Sequence, residues 1–192
     1  MSNLKIGHGY DIHRFIKESI NSDTIVNTIV KSLWDIKEDR QLPLDSIEEQ
    51  NKPLYLGGVL IENHIGTVAH SDGDVVLHSL TDALLGASGL SDIGTLFPDD
   101  IESTKNISSV FMLQESYKMI QNKGYSIMNI DITIITQTPK IKDYKEKMIQ
   151  SISEILHLSQ LNINIKGKTK EGLDSVGKGE AIECFSVCLI DI

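Results

Sequence analysis

The stretch AHSDGDVVLHSLTDALLGASG, residues 69–89, predicts the helix around which the fold is built. The helix is expected to run from about Asp74 to Ser88, with Asp72 as its N-cap and Gly89 at its C-terminal end. Apart from a few polar positions its residues are apolar on every side, which is typical of a helix that is mostly buried.

The polar positions of this helix fall four residues apart. Asp74, His78 and Asp82 would form one row along it, and His70 precedes them at the same spacing. Buried polar groups without partners cost several kilocalories per mole, so such a row needs partners of its own. The row is therefore a candidate for a functional site.

Further strands and helices are predicted on both sides of this stretch. The segment Leu4–Phe15 is predicted to be a short strand that turns at Gly7 and Gly9. A helix is expected to begin at Asp143, with Glu146 in capping-box spacing. The other predicted elements are a strand at Leu54–Ile61 broken by Gly57-Gly58, a helix at Ser109–Asn122, strands at Ile127–Thr136, Asn162–Lys168 and Ala181–Ile190, and a glycine-rich turn from Gly172 to Gly179.

This order, β-β-α-α-β-α-β-β, contains both crossover and hairpin connections. It favours an α+β class, with a mixed four-stranded core sheet and helices packed on one face. Residues 1–192 are expected to form a single domain. Residues from about 16 to 52, rich in Ile, Asn, Ser, Asp and Lys and without glycine, are predicted to be a surface insertion.

Composition excludes several classes of protein. A chain of 192 residues with 40% hydrophobic residues can bury a core, and a net charge of −9 argues against a general nucleic-acid binder. Apolar runs fall short of the roughly 20 residues that a membrane-spanning helix needs. Cys184 and Cys188 are too few for a disulfide framework and favour a reducing compartment, and we see no signal peptide.

Two distant segments together indicate a metal site. Asp11 and His13 are two apart in an extended segment, so their side chains project to the same side. With His78 they would supply one oxygen and two nitrogens, which suits Zn²⁺ with three protein ligands and one open position, as in catalytic zinc sites. Alone, an Asp-x-His pair is usually a surface accident, and Cys184 and Cys188 are better explained as small core residues.

A basic, glycine-containing segment, KGKTKEGLDSVGKGE at residues 166–180, is a second candidate. Its lysines and Thr169 offer positive charge and a hydroxyl, and Glu171 offers an oxygen of the kind that Mg²⁺ on a diphosphate accepts. Its glycines allow close backbone approach to phosphate. A solvated hairpin turn explains the segment about equally well.

These residues resemble the 2-C-methyl-D-erythritol 2,4-cyclodiphosphate synthase family of the non-mevalonate isoprenoid pathway. The AHSDGD…LHSLTDALLG…DIG..FPD run is long and highly specific. The matching segments are IGHGYDIHRF (6–15), PLYLGGVLI (53–61), AHSDGDVVLHSLTDALLGASGLSDIGTLFPD (69–99), NIDITIITQTPKI (129–141) and KTKEGLDSVGKGE (168–180).

The resemblance implies a homotrimer with active sites between neighbouring subunits. It implies conversion of 4-diphosphocytidyl-2-C-methyl-D-erythritol 2-phosphate, a small cytidine diphosphate substrate, into the cyclic diphosphate and CMP. At matching positions, Asp11, His13 and His78 would hold zinc, and Glu171 would bind Mg²⁺ or Mn²⁺ between two phosphates. No nucleic acid or membrane partner is expected.

The resemblance also implies catalytic and substrate-binding positions. His70 and Thr169 would stabilise the transition state, and residues 136–142 would form a cytidine pocket contributed by the neighbouring subunit. The substrate-contacting positions would be Asp11, His13, His70, Ser71, Asp92, Ile93, Gly94, Phe97, Pro98, Asp99, Asp100, Ile101, Thr136, Gln137, Thr138, Pro139, Lys140, Ile141, Lys142, Lys168, Thr169, Lys170, Glu171 and Lys178.

The chain departs from the family in its last turn, where a glycine-phenylalanine pair and an arginine are usual. Here these positions hold Asp174, Ser175 and Lys178, and lysine keeps the charge but loses the bidentate fork of arginine. The insertion resembles those of parasite proteins and indicates an apicoplast-like plastid stroma, with the bacterial cytoplasm as the alternative. The rival functions are a zinc-dependent phosphodiesterase that uses metal-bound water and a non-catalytic trimeric module with structural zinc.

Overall fold

The computed structural model describes residues 3–16, 52–98 and 106–192. The strands are β1 (Lys5–Arg14), β2 (Pro53–Leu56), β3 (Val59–Ile65), β4 (Ser126–Ile135), β5 (Ile163–Lys168) and β6 (Ala181–Asp191). The α-helices are α1 (Val75–Ala87), α2 (Ile93–Leu96), α3 (Ser109–Asn122), α4 (Lys145–Leu156) and α5 (Asp174–Gly177), with short 3₁₀ turns at Ile141–Asp143 and Gln160–Asn162.

The core sheet has four strands in the order β1-β6-β4-β5. The pairs β1–β6 and β6–β4 are antiparallel, whereas β4–β5 is parallel, so the sheet is mixed. The prediction of an α+β class with a mixed four-stranded sheet is confirmed. The register aligns Asp11, Cys184, Ile134 and Gly167 in one row across the sheet, with Asp11 and Gly167 on opposite edge strands.

Strand β1 is continuous, and the predicted turn at Gly7 and Gly9 is wrong. Both glycines face helix α1 at very close range. A Cβ on Gly9 would lie 1.8 Å from the Ser79 carbonyl oxygen, and one on Gly7 would lie 1.8 Å from that of Ala83. The glycines therefore serve close packing of the strand against the helix.

Helix α1 is the centre of the core. Leu77, Leu80 and Leu84 are fully buried against the inner face of the sheet. The N-cap is Asp74, not the predicted Asp72: its carboxylate accepts hydrogen bonds from the N–H groups of Val76 and Leu77.

The Asp74 carboxylate also joins α1 to a neighbouring hairpin. It accepts the N–H groups of Gly57 at 2.9 Å and Gly58 at 2.7 Å, so four backbone donors compensate its complete burial. Gly57 and Gly58 form the turn of this β2–β3 hairpin, which the sequence predicted as a single broken strand.

Two other predicted boundaries change. Helix α4 begins at Lys145, after the 3₁₀ turn at Ile141–Asp143, and no side chain caps it, so the capping box of Asp143 and Glu146 is wrong. The predicted glycine-rich turn contains the four-residue helix α5. The predicted limits of α3 are confirmed.

Strands β1 and β6 expose several large apolar side chains on the outer face of the sheet in the described chain, whereas β4 and β5 carry the ion pair of Asp131 and Lys166 there. Ile6 is 74% exposed, and Tyr10, Ile12 and Val187 are each more than 40% exposed. Large apolar side chains lying together on an exposed face are typical of a protein interface.

Two further predictions concern membrane-spanning helices and the surface insertion. Within the described ranges, no helix combines the length and hydropathy that crossing a bilayer requires. The predicted insertion at about 16–52 lies mostly outside the described residues. Its two flanks converge, because Ile16 N–H donates to the Gly66 carbonyl and Gly66 N–H donates to the Lys52 carbonyl.

Candidate active site

Strand β1 and helix α1 bring the three predicted metal ligands together. Asp11 Oδ2 lies 3.0 Å from His13 Nε2 and 3.0 Å from His78 Nδ1, and the two histidine nitrogens are 3.1 Å apart. Asp11 and His13 reach α1 because alternate residues of a strand face the same side. His78 lies in the first turn of the helix, directly above them.

The geometry of this cluster fits a metal ion. Bonds of 2.0–2.1 Å to a tetrahedral Zn²⁺ place neighbouring ligands about 3.3–3.4 Å apart, close to the observed 3.0–3.1 Å. Asp11, His13 and His78 are the residues of the described chain that form such a group. Three ligands occupy one face of a tetrahedron and leave its fourth position open.

Electrostatics inside the cluster favour a charged carboxylate. Burial of Asp11 opposes ionisation, but contacts with His13 and His78 outweigh it and hold the pKa of this carboxyl well below its usual range. Burial of His78 lowers its pKa, but the Asp11 carboxylate dominates and the pKa of the imidazole is raised. The ligand set thus presents an anionic oxygen to a cation.

The cluster opens into a cavity of about 340 Å³ that also contains His70 and Phe97. Among the described residues, His70 Nε2 is a buried nitrogen without a hydrogen-bond partner. Because buried polar atoms are nearly always satisfied, this nitrogen indicates a group that binds in the cavity.

The loop that carries His70 is held by a lysine that the sequence did not single out. Lys52 Nζ donates to the carbonyls of Ala69 at 2.7 Å and Ser71 at 3.2 Å, on either side of His70. Asn106 N–H donates to the His70 carbonyl itself. In the sequence, the only sign of this contact is a lysine placed immediately before β2.

The other wall of the cavity contains Ile93 and Gly94. Asp82 Oδ1 accepts the N–H of Ile93 at 2.8 Å, so this member of the polar row holds the wall of the cavity in place. Asp92 caps helix α2 through the Thr95 N–H. Pro98 follows Phe97 directly, and Asp99, Asp100 and Ile101 lie outside the described residues.

The far side of His78 faces two hydroxyl groups. Its Nε2 lies 2.8 Å from Ser109 Oγ and 3.1 Å from Ser71 Oγ. The Ser109 hydroxyl donates to the Asp72 carboxylate, which also accepts the Ser109 N–H at 2.9 Å. Ser71 is largely buried beside the ligand and also lines the first cavity. Asp72, predicted as the cap of α1, instead binds the first turn of α3.

A second cavity of about 740 Å³ lies at the opposite edge of the sheet. The predicted site residues that line it are Thr136, Gln137, Pro139, Lys140, Ile141, Lys142, Lys168, Thr169 and Glu171. Gln137 Nε2 is another buried nitrogen of the described chain without a partner. The Thr136 hydroxyl donates to the Thr138 carbonyl, and the Thr138–Pro139 peptide bond is cis.

The basic segment divides between two faces of the sheet. The Thr169 hydroxyl donates to the exposed Glu171 carboxylate beside the second cavity. Lys170 instead forms ion pairs with the buried Glu183 and with Asp174, so its ammonium group is already engaged. Lys178 is exposed at the end of α5 and lines neither cavity.

The two cavities do not meet within one chain. The row across the sheet places Asp11 on one edge strand and Gly167 on the other, three strand spacings or about 14 Å away. The metal cluster and His70 belong to one edge, and Thr169 and Glu171 to the other.

Comparison with known proteins identifies the family of this chain. The model of the YgbB family matches residues 43–191, more than half of the chain. The chain belongs to the YgbB family. Among its relatives, the 2-C-methyl-D-erythritol 2,4-cyclodiphosphate synthase of Haemophilus ducreyi is 43% identical over 97% of this chain and 96% of the relative. The apicoplast enzyme of that name from Plasmodium falciparum is 39% identical over 97% of this chain and 72% of its own length.

Solved structures of this family have the same fold. IspF of Plasmodium falciparum in its CDP complex matches with a TM-score of 0.73 at 34% identity, covering 100% of this chain and 97% of that one. The bifunctional IspDF of Campylobacter jejuni matches with a TM-score of 0.79 at 35% identity. The match covers 100% of this chain but 43% of the bifunctional protein. The predicted resemblance to the cyclodiphosphate synthases is confirmed.

Proposed function

We propose that the chain converts 4-diphosphocytidyl-2-C-methyl-D-erythritol 2-phosphate into 2-C-methyl-D-erythritol 2,4-cyclodiphosphate and CMP in the non-mevalonate isoprenoid pathway. The observation that carries this proposal is the Asp11–His13–His78 cluster, open on one side toward the unpartnered nitrogen of His70. Relatives that bear the name of this synthase, and a related structure that binds CDP, support it.

The cluster is assigned to Zn²⁺. One carboxylate oxygen and two imidazole nitrogens with an open position suit a catalytic zinc ion, whereas a structural site would need a fourth protein ligand. When bound, the ion supplies Lewis-acid polarisation of a phosphoryl oxygen. Cys184 and Cys188 do not compete for it, because burial in the core raises their pKa values to about 12 and about 11.

The protein itself contributes position and charge. In the proposed reaction an oxygen of the substrate's 2-phosphate attacks the β-phosphorus, and the bond to the α-phosphate oxygen breaks to release CMP. The nucleophile belongs to the substrate, so the chain needs no activated serine or cysteine. His70 and Thr169 are assigned to donate hydrogen bonds to the phosphoryl oxygens as charge accumulates there.

The second cavity is proposed to bind the cytidine nucleotide, with Glu171 holding Mg²⁺ or Mn²⁺ next to the diphosphate. Glu171 offers a hard oxygen at the mouth of this cavity, and Gln137 Nε2 offers a free donor for the base. The cavity is lined by residues 136–137 and 139–142, by Lys145, by the end of β5, and by Thr169 and Glu171.

The separation of the two cavities supports a homotrimer. A site that needs both must combine one edge of the sheet with the opposite edge of a second copy. Such a head-to-tail contact forms a ring when its rotation closes, and the resemblance to the family implies three copies. The exposed apolar residues of the outer sheet face, Ile6, Tyr10, Ile12 and Val187, are proposed to lie inside that ring.

The test supplies the diphosphocytidyl substrate to the purified chain with Zn²⁺ and Mg²⁺ in ¹⁸O-labelled water. We expect equimolar CMP and cyclic diphosphate without label in either product. Label in a linear product would identify a zinc-dependent phosphodiesterase, and absence of turnover with a closed metal site would identify the non-catalytic module. His70→Ala should lower kcat by about 10²–10³-fold with zinc retained, whereas the control His64→Ala, outside both cavities, should not.

The proposed location is an apicoplast-like plastid stroma, with the bacterial cytoplasm as the alternative. The relatives include bacterial enzymes and an enzyme of the apicoplast. Fractionation of the source cells with an antibody against the chain would distinguish the two compartments.

A further inference from the structure

We propose that Asp72 and Ser109 are positioning residues that fix the tautomer of His78 and thereby prepare its Nδ1 to bind the metal ion. The proposal rests on the function proposed above only in that it concerns the same metal site. Neither residue was expected to act there from the sequence.

The hydrogen-bond geometry defines where each proton must lie. The Asp72 carboxylate accepts hydrogen bonds from both the hydroxyl and the N–H of Ser109. Ser109 Oγ is then left with lone pairs toward His78 Nε2, which lies 2.8 Å away. In the metal-bound form the imidazole is neutral and carries one N–H. Ser109 Oγ favours that proton on Nε2, which leaves the Nδ1 lone pair for the ion held with Asp11 and His13.

Ser71 agrees with this assignment. Its Oγ accepts the N–H of Gly73 at 3.1 Å and lies 3.1 Å from His78 Nε2. Two hydroxyl oxygens therefore lie next to Nε2, and both can accept a hydrogen bond from its N–H.

The pair is rigid as well as correctly oriented. Ser109 is fully buried in the first turn of α3, and Asp72 is held by the N–H groups of Ser109 at 2.9 Å and Asp74 at 3.3 Å. Because Asp74 caps α1, the carboxylate of Asp72 links the beginnings of both helices. Outer partners of this kind fix the orientation of ligating histidines, and their loss typically lowers metal affinity by about 10–100-fold.

The experiment measures zinc affinity by chelator competition, not turnover. Ser109→Ala removes the nearer of the two acceptors, the one oriented by Asp72, and should weaken zinc binding by about 10–100-fold. Ser108→Ala is the matched control, because Ser108 is the N-cap of the same helix and its side chain makes no cap hydrogen bond. This variant should bind zinc like the unaltered chain. Zinc affinity of Ser109→Ala within twofold of that control would overturn the proposal.

A second measurement does not depend on a variant that folds. In the zinc-loaded, unaltered protein with ¹⁵N-labelled histidine, we expect His78 to carry its proton on Nε2 and metal on Nδ1. The reverse assignment would refute the role of Asp72 and Ser109. Both readouts are independent of CMP formation, so a chain that binds zinc as expected but fails the substrate assay would contradict the proposed function and leave this inference standing.

Discussion

Replacing Gly9 with alanine tests whether the metal site depends on the close approach of β1 to α1. The new Cβ would lie 1.8 Å from the Ser79 carbonyl oxygen and 2.7 Å from the Ala83 nitrogen. Real Cβ atoms essentially never come closer than 3.0 Å to another atom, so strand and helix must separate by about 1.2 Å at this point. Both contacts are to backbone atoms, which no side-chain rotation can relieve.

That separation acts directly on the ligands. Gly9 precedes Asp11 by two residues on β1, and Ser79 follows His78 on α1. Metal sites tolerate changes of about 0.2 Å in ligand distance, several times less than the displacement. We therefore expect zinc affinity to fall on the order of 100-fold or more, together with a stability loss of about 1–3 kcal/mol.

Zinc titration and thermal unfolding with and without a chelator would measure the two effects. The control is Gly86→Ala on the exposed side of the same helix, where an added Cβ meets nothing within 4 Å. That variant should keep the zinc affinity and gain about 0.4–1 kcal/mol of stability. If Gly9→Ala binds zinc as tightly as Gly86→Ala does, the close approach does not set the ligand geometry.

Two further predictions concern other parts of the site. Glu171→Gln should raise the Mg²⁺ concentration needed for half-maximal turnover and leave bound zinc unchanged, because Glu171 and the zinc cluster line different cavities; an unshifted Mg²⁺ titration would contradict its role. Replacing residues 17–51 with a short Gly-Ser linker should preserve turnover, because the flanks meet at Gly66. Adding Lys52→Met to that variant should lower kcat by about tenfold, since the loop around His70 loses both lysine contacts, and an unchanged kcat would show that the loop holds itself.

The parts of the fold that were predicted correctly depend on local patterns. Helix α1 follows from a long apolar stretch, and the shared direction of Asp11 and His13 follows from the alternation of a strand. These patterns, with the resemblance to a family, were sufficient to place the metal ligands near one another. Both patterns depend only on the spacing of residues along the chain, which can be read directly from the sequence.

The parts that were missed depend on contacts between distant segments. A glycine in a strand signals either a turn or a close approach, and only the position of α1 shows that Gly9 serves the second purpose. Ser109 meets His78 from 31 residues away, and Lys52 reaches Ala69 across 17. Serines and lysines are common in surface segments, so neither residue stood out before the helices were positioned.

The alternation of β1 has a consequence for how the protein acquires its metal. Asp11 and His13 face the helix, while Tyr10 and Ile12 are exposed on the other face. A slip of β1 by one residue along β6 would exchange the two sets, burying the aromatic ring and turning both ligands outward. Only molecules with correctly aligned strands could then hold the ion with all three ligands, so metal binding would favour the correct register of β1.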